Sequence, residues 1–314
     1  MSDSPRIVAV AVTVPHRAPG SRARRIALAV LGTLAATGAL VWVLYDQRDA
    51  FATALRSAPV GILVLAVVLQ LVALLTRTEA WHICVKAAGA TCGRRLLYHS
   101  AALGGLASQL NSQLGTAARI AILRRSAGER SPRVGALIAA EIPILSVEGG
   151  LAAITSFTLV GPLNLPWWVP IVVLAVATAI VVSLARLAHR RPTGFASGLA
   201  VLRSMNGANR VVGLILVATF AQIARNWLML HALGVDATVF DAIAILIAQV
   251  SLSQLPIGPS LGAAAVVLIL GADGVAITAA AGVLLTATAT VGGLAYLAWG
   301  IVDRLARRGV PQPA

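Results

Sequence analysis

The sequence predicts an all-α polytopic membrane protein: about six full spans plus two re-entrant broken-helix hairpins in inverted repeats. Three observations carry that reading. Hydrophobic residues make up 58% of the 314 and charged residues 11%, with a mean hydropathy of +0.87. A soluble globular chain carries about 25% charged residues. The apolar residues fall into runs long enough to cross a hydrocarbon core about 30 Å thick. The basic residues gather between some of these runs and leave other intervals almost bare.

Taken in order, residues 1–25 form a basic tail expected in the cytoplasm. The apolar runs 26–44, 58–76, 134–160, 167–185, 211–230 and 275–301 then read as spans. The first, at 19 residues, is longer than a signal-peptide core and is expected to be retained. Residues 303–314 form a second cytoplasmic tail, so 26–302 reads as one integral membrane domain. Two further apolar regions, 96–123 and 239–271, are each interrupted by a polar, glycine-containing phrase. The phrases are "SQLNSQLGTAAR", from Ser108 to Arg119, and "SQLPIGPSLGAAA", from Ser253 to Ala265.

The placement of basic residues decides what these two regions do. Segments 1–25, 77–95, 119–133, 186–210 and 303–314 carry 5, 4, 5, 5 and 3 Arg or Lys. The intervals 45–57, 161–166, 231–238 and 272–274 hold only Arg48 and Arg56. Cytoplasmic loops collect positive charge. Region 96–123 is basic on both sides, so it is expected to enter and leave from the cytoplasm, breaking near Asn111–Gly115. Region 239–271 is flanked by arginine-free intervals and is expected to dip in from outside, breaking at Pro256–Gly262. Both termini then lie in the cytoplasm, as expected of a multi-pass protein of the plasma membrane.

An internal repeat supports the scheme. Arg77, Trp81, Ala88-Gly89-Ala90 and Ser108-Gln109-Leu110 align with Arg225, Trp227, Leu233-Gly234-Val235 and Ser253-Gln254-Leu255, at an offset of about 145 over the later part. Repeat one covers about 58–160, repeat two about 211–301, and 167–185 is the linker span. Inverted repeats with broken helices are the pattern of a central transport site, because non-helical backbone survives at membrane depth only where protein or a wet cavity satisfies it.

The formal charge of +14 does not point to nucleic acid, since the arginines sit in short runs between apolar stretches, facing anionic lipid. Cys84 and Cys92 make no disulfide framework, and no metal site or cofactor is expected. Charges inside the membrane are expensive and mark function by default. Glu141 and Glu148 lie two turns apart on one helix face, and Arg119 follows the first break by about one turn. Arg119 either binds an anionic headgroup, balanced by a glutamate, or snorkels to the interface. Asn111, Gln113 and Gly115 in the first break, and Gln254, Pro256 and Gly262 in the second, complete the candidate substrate-binding set. Arg77, Glu79, Trp81 and His82 read as an interfacial cap; Arg225, in the later half of span 211–230, is a fourth intramembrane charge or else lies near the outer interface.

The chain resembles the lysylphosphatidylglycerol synthase transmembrane-region family through "RTEAWHICVKAAGA", "LNSQLGTAARIAILRR", the acidic Glu141, "LHALGV" and "LPIGPSLGAAA". The resemblance implies a stand-alone flippase-like domain without the aminoacyl-transferase domain of the synthases. In the family's pattern a proline stands where this chain has Asn111, an aspartate precedes the arginine matched by Arg119, and an acid stands where this chain has Ala264 or Ala265. The expected function is translocation of an amphipathic or anionic lipid between leaflets through a midplane site between the hairpins. The alternative is a non-transporting partner or stability factor in envelope lipid assembly, working with envelope-biosynthesis proteins. An enzyme is not expected: metal–phosphate chemistry needs clustered carboxylates, and Asp46 with Asp49, the only close aspartate pair outside the tails, falls on the wrong side for cytoplasmic donors.

Overall fold

A computed structural model describes residues 48–89, 93–108, 112–127, 133–190, 194–253, 261–270 and 275–308. Among these the regular structure is all helical. The α-helices are α1 (Arg48–Ser57), α2 (Val60–Ala87), α3 (Arg94–Ser108), α4 (Ser112–Ala127), α5 (Val134–Ala139), α6 (Ile142–Thr155), α7 (Val169–Arg190), α8 (Met205–Ala232), α9 (Val239–Leu252), α10 (Leu261–Leu270) and α11 (Val275–Arg308). A 3-10 turn (Ser156–Leu159) continues α6, and a 3-10 segment (Gly194–Arg203) precedes α8.

The chain is a polytopic membrane protein. Five helical segments are long and apolar enough to cross a membrane: Val60–Ala87, Val134–Leu159, Val169–His189, Met205–Ala232 and Ala276–Gly300. They match five of the six expected spans; the sixth, 26–44, lies outside the described residues.

Helices α2 and α8 form the spine. Each is 28 residues long, and each is stopped by a glycine in the left-handed region, Gly89 at φ 92° and Gly234 at φ 75°. Only glycine adopts that conformation at no steric cost. After α8 the turn is closed by a bond from Val235 N–H to the Leu230 carbonyl at 3.1 Å, the long bond of a Schellman cap. The two stops fall at Gly89 and Gly234, which the sequence alignment pairs.

The spine helices run antiparallel. Ala66, early in α2, packs with Met229 and Leu230, late in α8. Ala73 meets Ala218 and Ala221, and Trp81 and Val85 share a core with Val211 and Ile215. Small residues along this seam let the backbones approach closely. Each spine helix delivers a hairpin from its C-terminal end, so the hairpins lie at opposite ends of the fold. Leu97, Ile120 and Leu123 of α3 and α4 join the Trp81 core. Ile245, Ala248, Val266 and Ile269 of α9 and α10 join the Leu230 core.

The hairpin helices are short. At 15 and 16 residues, α3 and α4 reach about 22–24 Å; at 14 and 10 residues, α9 and α10 reach about 15–21 Å. None covers the roughly 30 Å of hydrocarbon alone. A Cβ on Gly104 would stand 2.8 Å from the Gly115 carbonyl oxygen and 2.9 Å from Arg119 Cβ, and one on Gly115 would stand 2.6 Å from Ser108 Cβ. Glycine is therefore required where α3 and α4 touch.

Three boundaries differ from expectation. Helix α4 starts at Ser112 and α10 at Leu261, so Gly115 and Gly262 are helical residues, not parts of a break. Helix α2 runs on to Ala87, carrying Arg77, Glu79, Trp81 and His82 inside a helix. The span expected at 134–160 is interrupted at Ala140–Glu141, between α5 and α6, with Pro143 in the first turn of α6. Proline has no N–H to donate and its ring clashes with the carbonyl four residues earlier, so the helical ladder is disturbed there, although Ala140 and Glu141 keep right-handed helical backbone and 134–159 remains one spanning segment. Linker helix α7 is peripheral, with Ile171, Val176 and Ile180 more than half exposed, as a lipid-facing helix requires.

Candidate functional site

The first polar cluster is built on one face of α2. Arg77 and Trp81, one turn apart, project from the same side of that helix. Arg77 Nη2 donates to Glu148 Oε2 of α6 at 2.9 Å. Trp81 is fully buried. Arg119 of α4 lies over the Trp81 ring, its guanidinium carbon 4.9 Å from the centroid, close enough for a cation–π attraction. Arg119 Nη2 is 3.4 Å from Glu141 Oε1, and Glu141 sits in the interruption between α5 and α6. Pro143 kinks the span, the kink presents Glu141, and Gly104 and Gly115 bring Arg119 within its reach.

Side-chain exposure falls inward through the cluster: 38% at Arg77, 22% at Glu148, 14% at Arg119 and 8% at Glu141. The outer pair is well formed. The inner pair attracts electrostatically but leaves hydrogen-bonding capacity unused. Arg119 Nε, Glu141 Oε1 and Trp81 Nε1 are buried without a hydrogen-bond partner among the described residues. Buried polar atoms are nearly always partnered. Two donors and one acceptor thus stand spare in one buried place, able to take up a small polar group.

The second cluster lies further along the spine. Arg225 of α8 donates through Nη1 to the side-chain Oε1 of Gln70 on α2, and through Nη2 to Asn226 Oδ1 at 3.3 Å. Asn226 Nδ2 reaches Gln249 Oε1 of α9 at 3.4 Å. Arg225 and Gln70 are each 5% exposed and Asn226 is wholly buried. No carboxylate among the described residues pairs with Arg225, and its Nε has no partner there. Gly292 of α11 closes this place: a Cβ there would stand 2.8 Å from Gln70 Cγ.

Of the residues singled out in the sequence, Arg119, Glu141 and Glu148 come together. Gly115 is buried where α4 crosses α3, and Gln113 is exposed in the first turn of α4. Gly262 is the second residue of α10. Asn111, Gln254 and Pro256 lie outside the described residues. The structure adds Arg77 and Trp81, which join the Arg119–Glu141 cluster, and Gln70 and Asn226, which no local pattern marked. Arg225 is buried within the protein, where α8 meets α2. Outside the spans, Arg94 is held above the usual arginine pKa by hydrogen bonds to Tyr98 and Glu79 and stays charged. Compared with family models, curated proteins and solved structures, the chain matches none.

Proposed function

We propose that the protein translocates an amphipathic or anionic lipid between the leaflets of the plasma membrane, with both termini in the cytoplasm, as a member of the lysylphosphatidylglycerol synthase transmembrane-region family. The observation that carries this reading is the buried Arg119–Glu141 pair. It lies where a hairpin meets a kinked span, with spare donors and an acceptor beside it. Charge inside a membrane is costly and is kept where a polar cargo passes. The antiparallel spine supports the same reading, because it sets the two hairpins at opposite ends, as alternating access between inverted repeats requires. The first hairpin carries Arg94, Arg95, Arg124 and Arg125, the basic side that faces the cytoplasm.

A second reading rests on the pairing itself. Arg77 with Glu148 and Arg119 with Glu141 cancel in charge, which suits a structural staple in a non-transporting envelope partner. Leaflet exchange in reconstituted vesicles separates the two. Fluorescent phosphatidylglycerol, an aminoacylated derivative and a polyprenyl-linked sugar are offered to protein-containing and empty vesicles. Faster exchange of one of them supports translocation; equal rates for all three, with folded protein, favour the staple.

A further inference from the structure

A separate cavity lies on the other face of α2. Glu79 falls midway between Arg77 and Trp81 in sequence, which turns it to the opposite side of the helix. There, α2, α3, α8 and α11 enclose a cavity of about 710 Å³, within the range of ligand sites. One wall is charged, with Glu79, Arg94 and Arg95; the others are apolar, with Leu75, Ala102, Leu214 and Trp299. Tyr98, Tyr296 and Trp299 line it as one aromatic group, their ring centroids 6.1–6.5 Å apart.

The charged wall is organised before any ligand arrives. Arg94 Nη2 lies 2.8 Å from Glu79 Oε2 and 3.3 Å from the Tyr98 hydroxyl. That hydroxyl donates to Glu79 at 2.6 Å, and the guanidinium carbon is 5.5 Å from the Tyr98 centroid. Both polar contacts use one nitrogen. A guanidinium has five N–H donors, so Nη1 and Nε remain for a ligand. Arg94 is also the first residue of α3, and a helix N-terminus favours an anion.

The opposite wall argues for an amphiphile over a soluble anion. Leu75 and Trp299 belong to membrane-crossing segments and are 37% and 57% exposed, so the cavity's apolar side is continuous with lipid-facing surface. Tyr and Trp at such a place mark the headgroup level.

We propose that this cavity binds a single phospholipid, its phosphate on Arg94 and one acyl chain along Leu75, Leu214 and Trp299. It is a docking site distinct from the Arg119–Glu141 cluster. It does not rest on the translocation reading, because binding is measured without transport.

The test is native mass spectrometry of the purified full chain titrated with dioleoylphosphatidylglycerol. The expected result is one saturable adduct. Arg94→Gln is expected to weaken it about tenfold or more, by loss of a charge-assisted bond, and Leu214→Trp to abolish it by filling the cavity. Glycerol phosphate, the headgroup without chains, is expected not to compete. Unsaturable adducts, or affinity unchanged in Arg94→Gln, would overturn the proposal. Competition by glycerol phosphate at equal concentration would replace the lipid with a soluble phosphate and overturn it too. Arg94 has a side chain 61% exposed, so its variant remains informative if Leu214→Trp does not fold.

Discussion

Arg119 and Glu141 meet across 3.4 Å although neither sits on an uninterrupted span. Arg119 rides on a hairpin helix too short to cross the bilayer, and Glu141 sits at the kink before Pro143 where α5 passes into α6. The pair is therefore presented by a short hairpin helix and a kinked span, and each has a consequence that can be measured.

The pair's energetics come first. Arg119→Gln strands Glu141 in a buried site, and breaking a buried pair costs about 3–5 kcal/mol. Glu141→Gln added to it is expected to recover part of that loss, because no uncompensated charge remains. Thermal unfolding in detergent of the two single variants and the double variant checks this. Additive losses would mean that the two side chains do not interact.

The glycine contact is tested by adding one methyl group. Gly115→Ala places a Cβ 2.6 Å from Ser108 Cβ, and overpacking of that kind costs about 1–3 kcal/mol. Gly149→Ala, on α6 with nothing within 4 Å of the new atom, is expected to stabilise by about 0.8–1 kcal/mol through helix propensity. Opposite shifts of the unfolding midpoint are the expected outcome.

Much of this was legible in the sequence. Five apolar runs became five spans because length and hydropathy suffice for that decision. The repeat was legible in its glycines, which the structure shows as matched helix stops. The site was only partly legible. The expected break placed Gly115 in a loop because glycine reads as a breaker, whereas its role is close helix contact. Hydropathy hid the interruption at Glu141, although Pro143 was the signal for it. Arg77 and Trp81 read as an interfacial girdle because they follow an apolar run; only tertiary packing against α4 and α6 shows Trp81 buried and Arg77 paired with Glu148. The phospholipid cavity draws on four helices, and its one local trace was the aromatic pair Tyr296 and Trp299 on the last span.

The second cluster behaves differently from the first. Gln70→Leu removes the carbonyl that receives Arg225, and losing a hydrogen bond to a charged group costs about 1.5–3 kcal/mol. Adding Arg225→Met is expected to restore most of it, since the double variant buries no charge at all. Unfolding midpoints of both variants check the prediction. A double variant less stable than Gln70→Leu would show that the bond to Asn226 holds Arg225 without Gln70.

The hairpin topology predicts which positions share a side. In a Cys84→Ala, Cys92→Ala background, Arg94→Cys and Arg133→Cys flank the first hairpin, while Asp236→Cys follows α8 at the other end of the spine. In intact cells, a membrane-impermeant thiol reagent is expected to label Asp236→Cys and spare the other two. Unlike labelling of the Arg94 and Arg133 positions would mean that the region crosses the membrane once. Native Cys84 reports nothing in this test, because its side chain is buried.

The most direct test of the account is leaflet exchange by vesicles carrying wild type, Arg119→Ala or Glu141→Gln, each verified as folded. Wild type is expected to accelerate exchange of at least one lipid, and either substitution to return the rate to that of empty vesicles. Exchange by wild type that persists undiminished in both variants would contradict it, since the lipid would then be crossing somewhere other than this pair.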